Sequence, residues 1–201
     1  LSTESVSTSR RGKVRALLAG GLVLGVGAAV VLAAWNDSEF ATGTFAAGTF
    51  NLQGSTDGTS YADHAASPGA TLPFTVNPSN LAPGDTVYVP FAVRLAANTT
   101  TGATVTLNTP TAAGSVANLS YELVQPTSFG CSSSTTGTDL VPAGTALGGA
   151  LSGVTFTLNA GSPASAPGAA VFLCFKVTAG AGLVQGQSGT ATWQFAAAST
   201  S

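Results

Sequence analysis

Charge is scarce in this sequence, and so is histidine. Only 7% of the residues are Asp, Glu, Lys or Arg, against about a quarter in ordinary globular chains. The surface must therefore be built largely from Ser, Thr, Gly, Asn and Ala, which is unlike a cytosolic enzyme. The scarcity is uneven. Of the six basic residues, Arg10, Arg11, Lys13 and Arg15 precede a long apolar run, leaving Arg94 and Lys176 beyond it. Against these two stand Asp37, Glu39, Asp57, Asp63, Asp85, Glu122 and Asp139, a net charge of −5 after the run. Nothing is left to neutralise phosphates, so nucleic acid is excluded as a partner.

The single histidine, His64, excludes HExxH zinc sites and multi-histidine metal sites. A Ser-His-Asp site would have to use it, yet the chain has no GxSxG elbow. Seven scattered acids give no sign of a paired-carboxylate cleft. His64 reads as an exposed loop residue beside Asp63, and Glu122 and Asp85 as structural. Asp57, Asp63 and the carbonyls of DGTSYADH could hold calcium, but the spacing is not that of an EF-hand loop. Asn98-Thr99-Thr100 and Asn118-Leu119-Ser120 match the glycosylation acceptor pattern, which is too short to be specific. No catalytic residue, metal or cofactor is expected, and the chain reads as a non-enzyme.

What is present begins with an export signal. The RRGKVR cluster precedes uncharged Ala, Leu, Gly and Val from Ala16 to Ala34, the pattern of a positive n-region (1–15) and an apolar h-region. The run is nearly long enough to span a bilayer. Cleavage between Ala33 and Ala34 is the favoured reading, making 1–33 a signal peptide, formed as a helix. An uncleaved anchor holding a cell-surface adhesin or carbohydrate-binding module is the alternative. After cleavage the membrane plays no further part, and the product is secreted. Cys131 and Cys174 make an even count in an exported chain, so a disulfide is favoured over a metal or a nucleophile.

Length and 44% hydrophobic content suit one domain with its own core. The 25 Gly and 10 Pro are dispersed, as in a protein of short strands and many turns. TVYVPFAVRL is the clearest strand: Val87, Val89, Phe91, Val93 and Leu95 alternate with Tyr88, Pro90, Ala92 and Arg94. Pro90 lacks an N–H and places this strand at an edge or a bulge. In AAVFLCFKVT, Val171, Leu173, Phe175 and Val177 share one face, with Phe172, Cys174 and Lys176 on the other. Further strands are expected at 72–76, 103–108, 117–124, 154–159 and 190–196, where Trp193 and Phe195 share a face. Asp57-Gly58 and Pro83-Gly84 mark turns, and 128–138 and 159–168 read as surface loops. The fold class is all-β: an antiparallel β-sandwich of jelly-roll or immunoglobulin-like type spanning 54–201.

Between signal and sandwich lies AAWNDSEFATGTFAAGTFNL. Its Phe residues five apart cannot share one strand face, so a single regular strand is not expected there. Trp35-Asn36-Asp37, Thr44-Phe45-Ala46-Ala47-Gly48-Thr49-Phe50 and Leu52 resemble the cleavage junction and mature N-terminus of the TasA/camelysin family. Ser79-Asn80-Leu81-Ala82-Pro83-Gly84-Asp85 resembles that family's S-N-L-x-P-G-D turn. The resemblance covers about 32–95. It implies a jelly-roll protein released by a SipW-type signal peptidase that assembles into extracellular fibres of a bacterial biofilm matrix. It further implies a homopolymer in which the segment 34–53 is donated to the next subunit. Trp35, Phe40, Phe45, Phe50 and Leu52 are then the assembly residues, with Phe40 and Phe45 filling pockets. The family's annotation as metalloproteases finds no ligand set here. The same segment could instead fold back as the first strand of its own sandwich, and either use would bury Phe45 and Phe50.

Overall fold

The computed structural model describes residues 42–43, 47–74 and 80–200. The chain divides into two compact units, Leu1–Phe45 and Ala46–Ser201, and all but Thr42 and Gly43 of the described residues lie in the second. Every regular element among them is a strand: β1 (Leu52–Ser55), β2 (Thr86–Leu95), β3 (Ala103–Leu107), β4 (Thr111–Gly114), β5 (Leu119–Gln125), β6 (Thr138–Ala146), β7 (Thr155–Leu158), β8 (Val171–Ala179), β9 (Gly189–Thr192) and β10 (Phe195–Ser199). They form a five-stranded sheet in the order β1-β2-β8-β5-β6, a three-stranded sheet β10-β3-β7 and a ribbon β4-β9. All pairings between these strands are antiparallel. The result is a sandwich-like all-β architecture, as the alternation predicts.

Alternation decides what each sheet buries. On β2, Val87, Val89, Phe91, Val93 and Leu95 are buried in the core, and their β8 counterparts are Leu173, Phe175 and Val177. The three-stranded sheet answers with Ala103, Val105, Leu107, Phe156 and Leu158. Phe195 on β10 joins the layers, its ring 5.9 Å from Phe91, 6.2 Å from Phe156 and 6.4 Å from Phe175. Aromatic pairs at such spacings add to the gain from burial alone.

Some expected boundaries move. The run expected as one strand at 190–196 is two: β9 pairs with β4, β10 pairs with β3, and Trp193-Gln194 lies between. Trp193 still packs inward, 4.8 Å from Phe175. Residues 72–74 are not in a strand although Leu72 and Phe74 pack against the core, and 75–76 fall outside the described residues. β6 occupies a stretch with no expected strand. β2 is not the edge strand that Pro90 predicts, nor is it bulged there: it lies between β1 and β8, and its pairing with β8 runs in unbroken register through Pro90. Ala96 donates to Asn51, so on the β1 side the even-numbered residues of β2 carry the bonding groups. β1 reaches only as far as Ala92, and the missing N–H of Pro90 interrupts no ladder.

The outer face of the five-stranded sheet is covered rather than bare. Across its centre Val124, Cys174 and Pro90 align, and Ala92, Val124 and Cys174 are fully buried. The segment 126–137 covers them, tied to three alternate residues of β8. Phe129 meets Phe172 edge-on at 6.0 Å; Cys131 is bonded to Cys174; Lys176 donates to the Thr135 carbonyl at 2.9 Å and pairs with Glu122 at 3.4 Å. What composition marks as a low-complexity loop is therefore a pinned cover. Gly58 rests on it: a Cβ there would lie 2.6 Å from the Phe129 ring, and its φ of 75° is one that glycine adopts without strain.

The disulfide spans a sequence separation of 43 residues, for which the chain-entropy model gives about 4 kcal/mol. Replacing Cys131 and Cys174 together by Ala is expected to lower unfolding stability by about 3–4 kcal/mol in a urea titration. Limited proteolysis should then cut first within 126–137. A midpoint unchanged from the parent would show that Phe129 and Lys176 suffice to hold the cover.

Candidate assembly surface

Of the expected assembly segment 34–53, the structure describes Thr42, Gly43 and the residues from Ala47 onward. Thr49 bridges to Thr99 in parallel, its carbonyl accepting from the Thr100 N–H at 3.2 Å and its hydroxyl donating to the Asn98 carbonyl. Asn51 accepts from Ala96 at 2.9 Å. From Leu52, β1 runs antiparallel to β2, with Leu52 opposite Leu95, Gln53 opposite Arg94 and Ser55 opposite Ala92. Leu52 packs against the core. Gly54 faces inward, where a Cβ would come within 2.6 Å of Phe91 Cζ; no larger residue fits without moving that ring.

Phe50 does not follow expectation. It is 40% exposed, although both uses considered for the segment bury it. The register explains this: with Asn51 bonded to Ala96, Phe50 falls alongside Ala97, beyond the end of β2 at Leu95, where no strand continues to receive it. Ala33, Ala34, Trp35, Phe40 and Phe45 lie outside the described residues.

β1 turns back on itself through the expected Asp57-Gly58 turn. Ser55 Oγ accepts the Gly58 N–H at 2.9 Å and donates to Asp57 Oδ1 at 2.9 Å. Asp57 Oδ1 also accepts the N–H groups of Ser60 and Thr59 at 2.7 and 2.8 Å. Beyond the turn, Ala62 exchanges two backbone bonds of 3.0 Å with Gly54, and Tyr61 lies under Arg94, the guanidinium carbon 3.8 Å from the ring centroid. Asp63 accepts from Asn51 Nδ2 at 3.0 Å, and His64 is exposed. The Asp57 carboxylate thus faces backbone donors and Asp63 an amide. Among the described residues no three His, Cys, Asp or Glu side chains gather as a metal site.

Burial raises the Tyr61 phenol above its usual range, and Arg94 opposes it. A depression lined by Gly114, Ser115, Val116, Asn118, Gly148 and Gln187 carries no titratable side chain. The acceptor-pattern residues Asn98 and Asn118 are both exposed, but Asn118 Nδ2 is bonded to the Gly182 carbonyl at 2.6 Å. The Tyr61–Arg94 stack went unforeseen: alternation points Arg94 outward, but only the Gly54–Ala62 bridge brings Tyr61 over it. The chain matches no protein-family model, no curated protein and no solved structure.

Asp57 supports a pH prediction. The Ser60 and Thr59 amides, with the Ser60 and Ser55 hydroxyls, hold its carboxyl well below the usual range. A depressed folded-state value contributes stability that is complete above the unfolded value near pH 4 and is lost as pH falls through the folded one. Asp57→Asn should therefore flatten the acid limb of stability below about pH 4 relative to the parent, with the melting difference largest near neutrality. A pair of melting curves that stays parallel from pH 7 to pH 2 would remove Asp57 from the acid response.

Proposed function

We propose that this chain is a secreted structural subunit that polymerises by lending its N-terminal segment to the next copy, as in the matrix fibres of the family it resembles. A jelly-roll connection of the strands belongs to the same reading. The observation that carries it is Phe50. Its own sandwich leaves this aromatic 40% exposed at the point where the segment joins β1, so an apolar surface sits beside the root of the segment. The tail of that segment is already committed within its own chain through Thr49, Asn51 and Leu52–Ser55. The part available for donation is therefore 34–48, shorter than the 34–53 that the resemblance implies. Strand addition satisfies open backbone groups at a sheet edge, and head-to-tail addition is heterologous, so it propagates into a filament unless it closes.

The engagement of residues 49–55 also selects the right truncation. Chains beginning at Ala34 and at Ala47 differ only in the segment, and both keep β1. Negative-stain electron microscopy should show filaments with the first and monomers with the second, at equal melting temperature. Filaments of the same form from the chain beginning at Ala47 would rule out donation by this segment.

A further inference from the structure

Resting on the donation reading, we infer that Arg94 is the receiving site for the donated segment and that it takes a carboxylate, Asp37 or Glu39 of the neighbouring copy. After the apolar run the chain has two cations, Arg94 and Lys176. Lys176 is committed to Glu122 and the Thr135 carbonyl. Arg94 forms no ion pair among the described residues, and its Nε is buried without a hydrogen-bond partner. Tyr61 holds the guanidinium by one face, which fixes the planar fork that suits a carboxylate.

The acids of the same chain are spoken for or out of reach. Glu122 holds Lys176. Asp57 is held by its turn, Asp85 accepts from the Ala82 N–H at 2.8 Å, and Asp63 accepts from Asn51. Asp139 belongs to β6, which lies at the opposite edge of the sheet from β1. Asp37 and Glu39 remain, close behind the predicted cut. The described chain passes Arg94 at Gln53 and leaves β2 at its Leu95 end. Between Asp37 and Ala47 the chain extends at most about 35 Å, which gives it the reach to another copy. In a molecule of net charge −5 after the signal, a fixed cation without an ion pair among the described residues also sets the orientation of an acidic strand, because both carboxylates of 34–48, Asp37 and Glu39, lie toward its N-terminal end.

The test uses the chain beginning at Ala34, kept below its assembly concentration, and a fluorescent peptide of residues 34–46 read by anisotropy. The peptide should bind, and Arg94→Gln should weaken it about tenfold or more, as loss of a charge-assisted bond requires. A peptide with Asp37→Asn and Glu39→Gln should bind the parent as weakly and be indifferent to Arg94→Gln. Arg94→Glu with a peptide carrying Asp37→Lys and Glu39→Lys should restore binding, which a merely unfolded variant cannot do. Peptide binding that ignores both sets of charges overturns the pairing and leaves donation standing. Failure of the parent to bind the peptide overturns both.

Discussion

The two layers of this sandwich are held in one relation by Phe195 and Trp193. Phe195 reaches Phe91 on β2 and Phe175 on β8 in one layer, and Phe156 on β7 in the other. Trp193 adds Phe175 again and Tyr121 on β5. Both belong to the short stretch in which the chain leaves β9 and enters β10. The break at Trp193-Gln194 lets two aromatic rings two residues apart lie against the same sheet while their flanking strands pair with different partners. β8 is the other half of that contact. It is bonded to β2 and β5, buries Leu173, Phe175 and Val177 inward, and on its outer face carries the residues that pin 126–137. A change in the pitch of β8 therefore disturbs the core and the cover together, so the disulfide on its outer side bears on packing as well as on loop order.

Legibility in the sequence follows how strongly each strand's surroundings enforce a period of two. β2 and β8 lie inside the wide sheet, so TVYVPFAVRL and VFLCFKVTA carry the period openly. β6 lies at an edge, its pairing with β5 is irregular, and Val141 is its one buried residue. DLVPAGTA shows no alternation for that reason, and Pro142 suits an edge strand. β4 is four residues of Thr, Ala and Gly, with nothing to mark it except the partner it finds. Leu72 and Phe74 show the converse: spacing at i and i+2 came from two side chains plugging the core without a strand.

The candidate surface divides in the same way. The cysteine pair was readable because compartment and parity constrain it without any geometry. The Asp57-Gly58 turn was readable because its chemistry is local: Ser55, Asp57 and Gly58 satisfy one another within a few residues. Phe50 departs from expectation because hydrophobic character alone takes burial for granted, whereas burial depends on where β2 ends. Arg94 and Tyr61 are far apart in sequence and meet through a hairpin whose register rests on Gly54, the one inward position of β1 where a Cβ has no room beside Phe91. No local pattern encodes that restriction.

Charge is not only scarce here but confined. Every ionised side chain among the described residues belongs to the five-stranded layer or the loops bounding β1 and β2, while β3, β4, β7, β9 and β10 carry none. The second layer meets water instead with hydroxyls and methyls, Thr104 and Thr106 on β3 beside Thr157 and Thr155 on β7. Its edge strands β7 and β10 lack the charges and prolines that usually blunt an edge and are short instead, at four and five residues, which also limits edge pairing. Long-range steering can then come only from the other layer. There the net charge is negative, and one cation among the described residues, Arg94, forms no ion pair. An acidic segment approaching this molecule is repelled by Asp57 and Asp63 in the turn beside β1 and attracted at a single fixed point. For the donation proposed above, Arg94 is then both a source of affinity and a selector of where, and in which direction, such a segment settles.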